Sequence, residues 1–195
     1  MTAFAWPAGI PIAAASWWQV DGTRRFRSPL SGTLRTEQLH PPYWEGNLTF
    51  TNLPADQGQA IEAYLWRLEG AVHRALVPMT DYQRQGAGGG SPQVSGAGQT
   101  GVSLVTSGWP ASTLVLKAGD RIGVSGQVFA IAADATSSGT GTATLSLSNP
   151  IRTSPSGAIE TTMPVIRCVI KNVFGMNTGP GRFKSGQIEF EEAMP

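Results

Sequence analysis

Residues 47–53, Asn47-Leu48-Thr49-Phe50-Thr51-Asn52-Leu53, alternate with period two. The pattern puts Leu48, Phe50 and Asn52 on one face of a strand and Thr49, Thr51 and Leu53 on the other. Residues 33–39 form a second extended run, and His40-Pro41-Pro42 breaks the chain between the two. The period then changes. Ile61, Tyr64, Leu65 and Leu68 fall at i, i+3, i+4 and i+7, an amphipathic helix. Asp56 is placed to N-cap it, Gln59 to complete a capping box, and Gly70 to take the C′ position. Residues 71–78 return to a strand pattern. Within the helix Trp66 lies about 150° from the centre of the apolar stripe, with Gln59 and Ala63 on its side and Glu62 and Glu69 flanking it. A tryptophan there needs a cover. Either neighbouring strands or a later part of the same chain supply it, or an adjacent subunit does, which makes Trp66, Ala63 and Gln59 candidate subunit-interface residues.

After Arg84 the texture of the chain changes. The 32 residues from Gln85 to Leu116 carry no charge, and Gly86-Ala87-Gly88-Gly89-Gly90-Ser91-Pro92 has the composition of a flexible joint. Short strand patterns follow at 102–106, 113–117, 121–124, 127–132 and 142–148, separated by Gly, Asp or Ser turns. Five strands in about fifty residues match a small Greek-key barrel. Longer extended runs resume at 165–173 and 182–191, around a glycine-containing loop at 175–181. The economical organisation is a β-rich main domain, 1–85 plus 156–195, with a barrel inserted at 86–155. The joint predicts that limited proteolysis separates the two within 85–98.

Composition narrows the function. Of 195 residues, 14% are charged, against about 25% in an ordinary soluble protein. Residues 1–85 carry seven basic and seven acidic groups, 86–155 three and two, and 156–195 four and four. No segment has the basic excess that phosphate-backbone binding draws on, so no nucleic-acid recognition is expected. Cys168 is the one cysteine and has no internal disulfide partner. With His40 and His73 the only histidines, a Cys/His zinc site is not expected. No apolar run approaches the ~20 residues of a membrane span. Residues 1–11 lack the basic start and apolar run of a signal peptide, so a soluble chain made in a cytoplasm is expected.

Several motifs suggest chemistry. Gly96-Ala97-Gly98-Gln99-Thr100-Gly101 spells a dinucleotide fingerprint, and Asp120 follows about 20 residues on. No apolar strand precedes it, and Val102-Ser103-Leu104-Val105-Thr106 after it is a strand pattern, so a glycine-rich turn is the favoured reading. Gly123-Val124-Ser125-Gly126-Gln127 has Gln127 where a nucleophile elbow needs glycine. Cys168, inside an apolar run, reads as a buried small hydrophobe rather than a reactive thiol. Glu189, Glu191 and Glu192 could pair as acid and base, but Glu189 and Glu191 alternate with Ile188 and Phe190 and so belong to a polar strand face. Asp120 reads as a hairpin turn residue. The six tryptophans 6, 17, 18, 44, 66 and 109 are core and interface anchors, or else an exposed row that stacks on sugars. The catalytic, cofactor and metal expectation is none.

Three passages resemble the distal tail proteins of long-tailed bacteriophages in their short form. One is Tyr43-Trp44-Glu45-Gly46 running to Leu53-Pro54. The second is the helix end Tyr64-Leu65-Trp66-Arg67-Leu68-Glu69-Gly70. The third is Gly98 to Trp109, then Leu116-Lys117-Ala118-Gly119-Asp120, then Gly141-Thr142-Ala143-Thr144-Leu145 to Pro150-Ile151-Arg152. The similarity spans roughly residues 30–195, with one proline after Leu53 where relatives often have two. It implies a mainly β fold: a belt-type β-sandwich with one α-helix, and an inserted oligosaccharide-binding-like (OB) barrel. It further implies a non-enzymatic virion protein, a homo-hexameric ring between the tail tube protein and the baseplate hub of the tail tip, with the tape measure protein as a further neighbour. Another minor tail or tail-completion protein, or a carbohydrate-binding module, is the alternative.

Overall fold

A computed structural model describes residues 1–172, 176–179 and 183–193. In chain order the elements are β1 (Ala3–Ala5), β2 (Ala14–Val20), β3 (Thr23–Arg27), β4 (Leu34–Gln38), β5 (Tyr43–Leu53), α1 (Ala55–Arg67), β6 (Arg74–Pro78), β7 (Gln93–Val94) and β8 (Gly101–Ser107). They continue with β9 (Leu114–Leu116), β10 (Arg121–Val124), β11 (Gln127–Ala130), β12 (Ala135–Thr136), β13 (Ala143–Ile151), β14 (Val165–Ile170), β15 (Asn177–Thr178) and β16 (Lys184–Glu192). The chain is mainly β with one helix. The ends of the sequence-predicted runs at Val173 and Arg182, and Gly175, Pro180 and Gly181 of the loop between them, lie outside the described residues.

A mixed seven-stranded sheet runs β1-β6-β14-β16-β5-β2, with β15 added to β16. Among its pairings only β1 with β6 is parallel. Residues in register share a face, so one side of the sheet gathers Trp17, Trp44, Leu48, Phe50, Ile166, Cys168, Ile188 and Phe190, all buried. Trp17 pairs with Gly46, and its ring lies where a Cβ on residue 46 would have to be. Glycine is required there. Helix α1 supplies Ile61, Tyr64 and Leu65 to this core and Leu68 just after it adds to them, and the Tyr64 hydroxyl donates to Phe4 O at 3.1 Å.

Three local expectations change. The face change predicted at Leu53 is reversed by a bulge: Phe50 pairs with Gly186 but Leu53 with Lys184, three residues against two. Asn52 absorbs the extra residue at φ 52°, which returns Leu53 to the buried side with Leu48 and Phe50. At the helix start the N-cap is Pro54, with no side-chain cap, so Asp56 lies inside the first turn and forms no capping box with Gln59. Asp56 favours the helix there as a negative charge near the positive end of the dipole. At the other end Leu68 is the C-cap and Glu69 (φ 49°) takes the left-handed C′ place, with Gly70 (φ 67°) one residue beyond. Two successive left-handed residues turn the chain into β6.

The second core lies between Leu104 and Ile159, and includes Trp109, Leu116, Ile122, Phe129, Leu145 and Ile151. Around it β8 pairs with β7 and β13, β9 with β12, and β10 with β11, and the bridge Ile131–Leu147 joins the β11 side to β13. Strand β11 belongs to both cores. Val128 and Ala130 pack into the sheet–helix core, whereas Phe129 and Ile131 fill the second. The stretch 86–90 is not a free joint. Ala87 N and Gly88 N donate to Leu114 O and Val115 O, and a Cβ on Gly86 would run into Val115 and Leu116. Gly86 lets the chain lie flat against β9, and Gly90 lets it approach Gly108 O.

Candidate interaction surfaces

The motifs that suggested chemistry resolve into local structure. In the glycine-rich stretch 96–101, Gln99 folds back on its own loop. Its Nε2 donates to Ser95 O (2.8 Å) and Val105 O (3.0 Å), and its Oε1 accepts from Val105 N (2.6 Å). Strand β8 follows, so no helix N-terminus faces the loop. Ser125 (φ 51°) turns the β10–β11 hairpin and exchanges hydrogen bonds with Ser156. His40 sits against Pro41 O and the Tyr43 ring, and His73 against Phe4 and Thr2 N. Cys168 is buried, and burial, helped by the Glu192 charge, pushes its thiol up. Among the described residues no three His, Cys, Asp or Glu side chains converge on a metal-sized site. A groove of about 490 Å³ lined by Trp6, Ile10, Ile12, Pro78 and Met163, among others, holds no titratable side chain.

Two acids behave differently from their sequence reading. Asp120 is more than a turn residue: it is buried, and its carboxylate accepts from Gln85 N (2.8 Å), Gly86 N (2.9 Å) and Lys117 N (2.8 Å). Burial raises its pKa, but the three backbone donors outweigh that, and the carboxyl sits below its ordinary value. Glu192, on the inner face with Ile188 and Phe190, is buried. It pairs with Arg152 at 2.7 Å and accepts from Trp44 N at 3.0 Å. Cys168 stands in register with Glu192, but its thiol is buried and pushed up, away from the thiolate. Asp120 ties the β9–β10 turn to residues 85 and 86, whereas Glu192 joins Arg152 after β13 to the sheet, as do Trp44 Nε1 donating to Val128 O (3.0 Å) and Arg121 over the Trp44 ring at 5.0 Å.

What remains on the surface is contact area. Trp17, Trp44 and Trp109 are buried, while Trp18 is 43% and Trp66 74% exposed. Trp18 faces away from Trp17 on the uncovered side of the sheet, and Trp66 points outward from the helix on the other side. They form no common row for a sugar. Trp66, Gln59 and Ala63 are all exposed along the outer side of α1, and neither neighbouring strands nor the barrel cover Trp66. The β3–β4 ribbon, which the sequence reading did not single out beyond the 33–39 strand, is exposed at all ten strand positions and pairs only with itself. Its signal was charge: Arg24, Arg25, Arg27 and Arg35 against Glu37.

Among the described residues no helix is long and apolar enough to cross a membrane. Compared with known proteins, the chain matches no family model and no curated sequence.

Proposed function

We propose that this chain is a structural subunit of a bacteriophage tail tip. In this reading it forms a homo-hexameric ring that adapts the tail tube to the baseplate hub, it acts without cofactor or catalysis, and it resides in the virion. The observation that carries the reading is Trp66, three-quarters exposed on a helix whose opposite side is buried in the core. A large aromatic held rigidly in water is characteristic of a surface that a partner will cover, and tryptophan is the residue most enriched at binding hot spots. The resemblance in residues 30–195 supplies the kind of assembly.

Native mass spectrometry and negative-stain imaging of the purified protein test this. Rings of six are expected. A monomer that binds glycans would overturn the reading in favour of a carbohydrate-binding module.

A further inference from the structure

Strand β1 ends the large sheet, and among the described residues no strand pairs with its outer edge. In a parallel ladder alternate residues of a strand bond to the neighbour. Thr2 O accepts from Arg74 N and Trp6 N donates to Leu76 O, so Thr2, Phe4 and Trp6 are the residues turned toward β6. The N–H and C=O groups of Ala3 and Ala5 therefore point away from the sheet. Both alanines are exposed, and neither has a side chain large enough to shield the edge. An open row of backbone donors and acceptors is a template for another extended chain.

Beside that edge lies the apolar groove of about 490 Å³. Ala5 pairs in register with Leu76, and Pro78 with Val165, so these lining residues share the uncovered side of the sheet. Val165 is 37% and Met163 49% exposed, apolar surface that the chain itself leaves in water. Arg74, in register with Ala3, and Arg167, in register with Leu76, stand on the same side. Neither makes an ion pair among the described residues. An occupant of the groove is therefore complementary when it is apolar and carries a negative charge near its end. The site is also short, because β1 has three residues and so spans about 10 Å. A contact centred on that edge matches one extended segment and falls short of the roughly 800 Å² per partner buried between stably paired folded subunits.

We infer that the β1 edge is a docking site for an extended segment of a partner protein, apolar at alternate positions and bearing a carboxylate. The segment adds to the sheet as a further strand and exchanges backbone hydrogen bonds with Ala3 and Ala5. Its apolar side chains enter the groove over Leu76, Pro78 and Val165, and its carboxylate meets Arg74. Backbone pairing supplies the affinity, while the groove and the arginine select the sequence. The site stands on the sheet edge rather than on α1, and it does not depend on the ring reading.

The test selects binders from a bead-displayed library of random linear peptides on the full-length protein, then measures them by fluorescence anisotropy. Peptides with alternating apolar residues and an acid are expected. Ala5→Pro removes the outward N–H and puts a ring on the edge while leaving the bonds to β6 in place. It should weaken binding at least about 10-fold. Ala5→Gly, which keeps that N–H, should bind as the wild type does. Arg74→Glu should also weaken binding, and a peptide whose acid is replaced by lysine should recover it on that variant. Melting curves identify a variant with a damaged fold, and the gain of the lysine peptide on Arg74→Glu cannot come from such damage. Peptides that bind Ala5→Pro as tightly as the wild type would overturn the edge pairing, as would a selection that enriches nothing or enriches basic sequences. Self-association of the wild type that Ala5→Pro abolishes would overturn the partner segment in favour of a second copy on that edge.

Discussion

The carboxylate of Glu192 and the guanidinium of Arg152 meet at 2.7 Å with both side chains almost wholly shielded from water. Glu192 belongs to the large sheet, while Arg152 directly follows the last strand of the barrel. Glu192→Ala leaves the guanidinium buried and unpaired, so a loss of about 3–5 kcal/mol is expected in urea unfolding. Replacing both partners, Glu192→Leu with Arg152→Met, should recover most of that loss. A single variant as stable as wild type would show that the pair is solvated.

Asp120 makes the stability depend on pH. Its folded-state pKa lies below the ordinary value of 3.8, so the unfolded chain binds more protons in acid and stability rises with pH. The contribution is complete above that ordinary value and disappears as pH falls through the lower folded-state value. Asp120→Asn should cost about 2 kcal/mol at pH 7. The difference from wild type should close as pH falls below the ordinary carboxyl value, measured as denaturation midpoints across the range.

Cys168 is sealed between β6 and β16, with its thiol pushed up by burial. A thiol-specific reagent should leave the native protein unlabelled and modify one sulfur per chain only as denaturant unfolds it. Rapid labelling of the native chain would mean that this part of the core opens readily.

Trp66→Ala removes a side chain that touches little of its own subunit. The isolated subunit should melt within about 0.5 kcal/mol of wild type, the ordinary range for exposed positions. Assembly should weaken by about 2 kcal/mol per contact, seen as a shift toward smaller species in sizing. Loss of fold with unchanged assembly would return Trp66 to an intrachain role.

Local signals carried far through the chain, and distant ones did not. Strand β10 begins and ends where its pattern does, and the helical stripe of Ile61, Tyr64, Leu65 and Leu68 is the buried stripe. Trp66 on the outer side of α1 follows from the same 100° arithmetic. The inward position of Glu192 was present in the alternation with Ile188 and Phe190. Asp120 could not be read in the same way, because two of its donors, Gln85 and Gly86, lie 35 and 34 residues away. The bulge at Asn52 defeated period-two counting because one left-handed residue changes the phase of everything after it. The parallel pairing of β1 with β6 joins residues some seventy positions apart, beyond any local pattern. A low-charge glycine run looks alike whether it swings free or lies along a strand; Leu114 O and Val115 O decide it here.

Adjacent side chains of β11 point into different cores, Val128 into one and Phe129 into the other, which sets a limit on modularity. A barrel held only by two linkers could be traded for another of the same size. Here the exchange would take Val128 and Ala130 out of the sheet–helix core and deprive the Trp44 indole of its carbonyl acceptor. Any replacement insertion would have to present a strand with the same two-sided grammar, apolar inward and apolar outward at alternate positions.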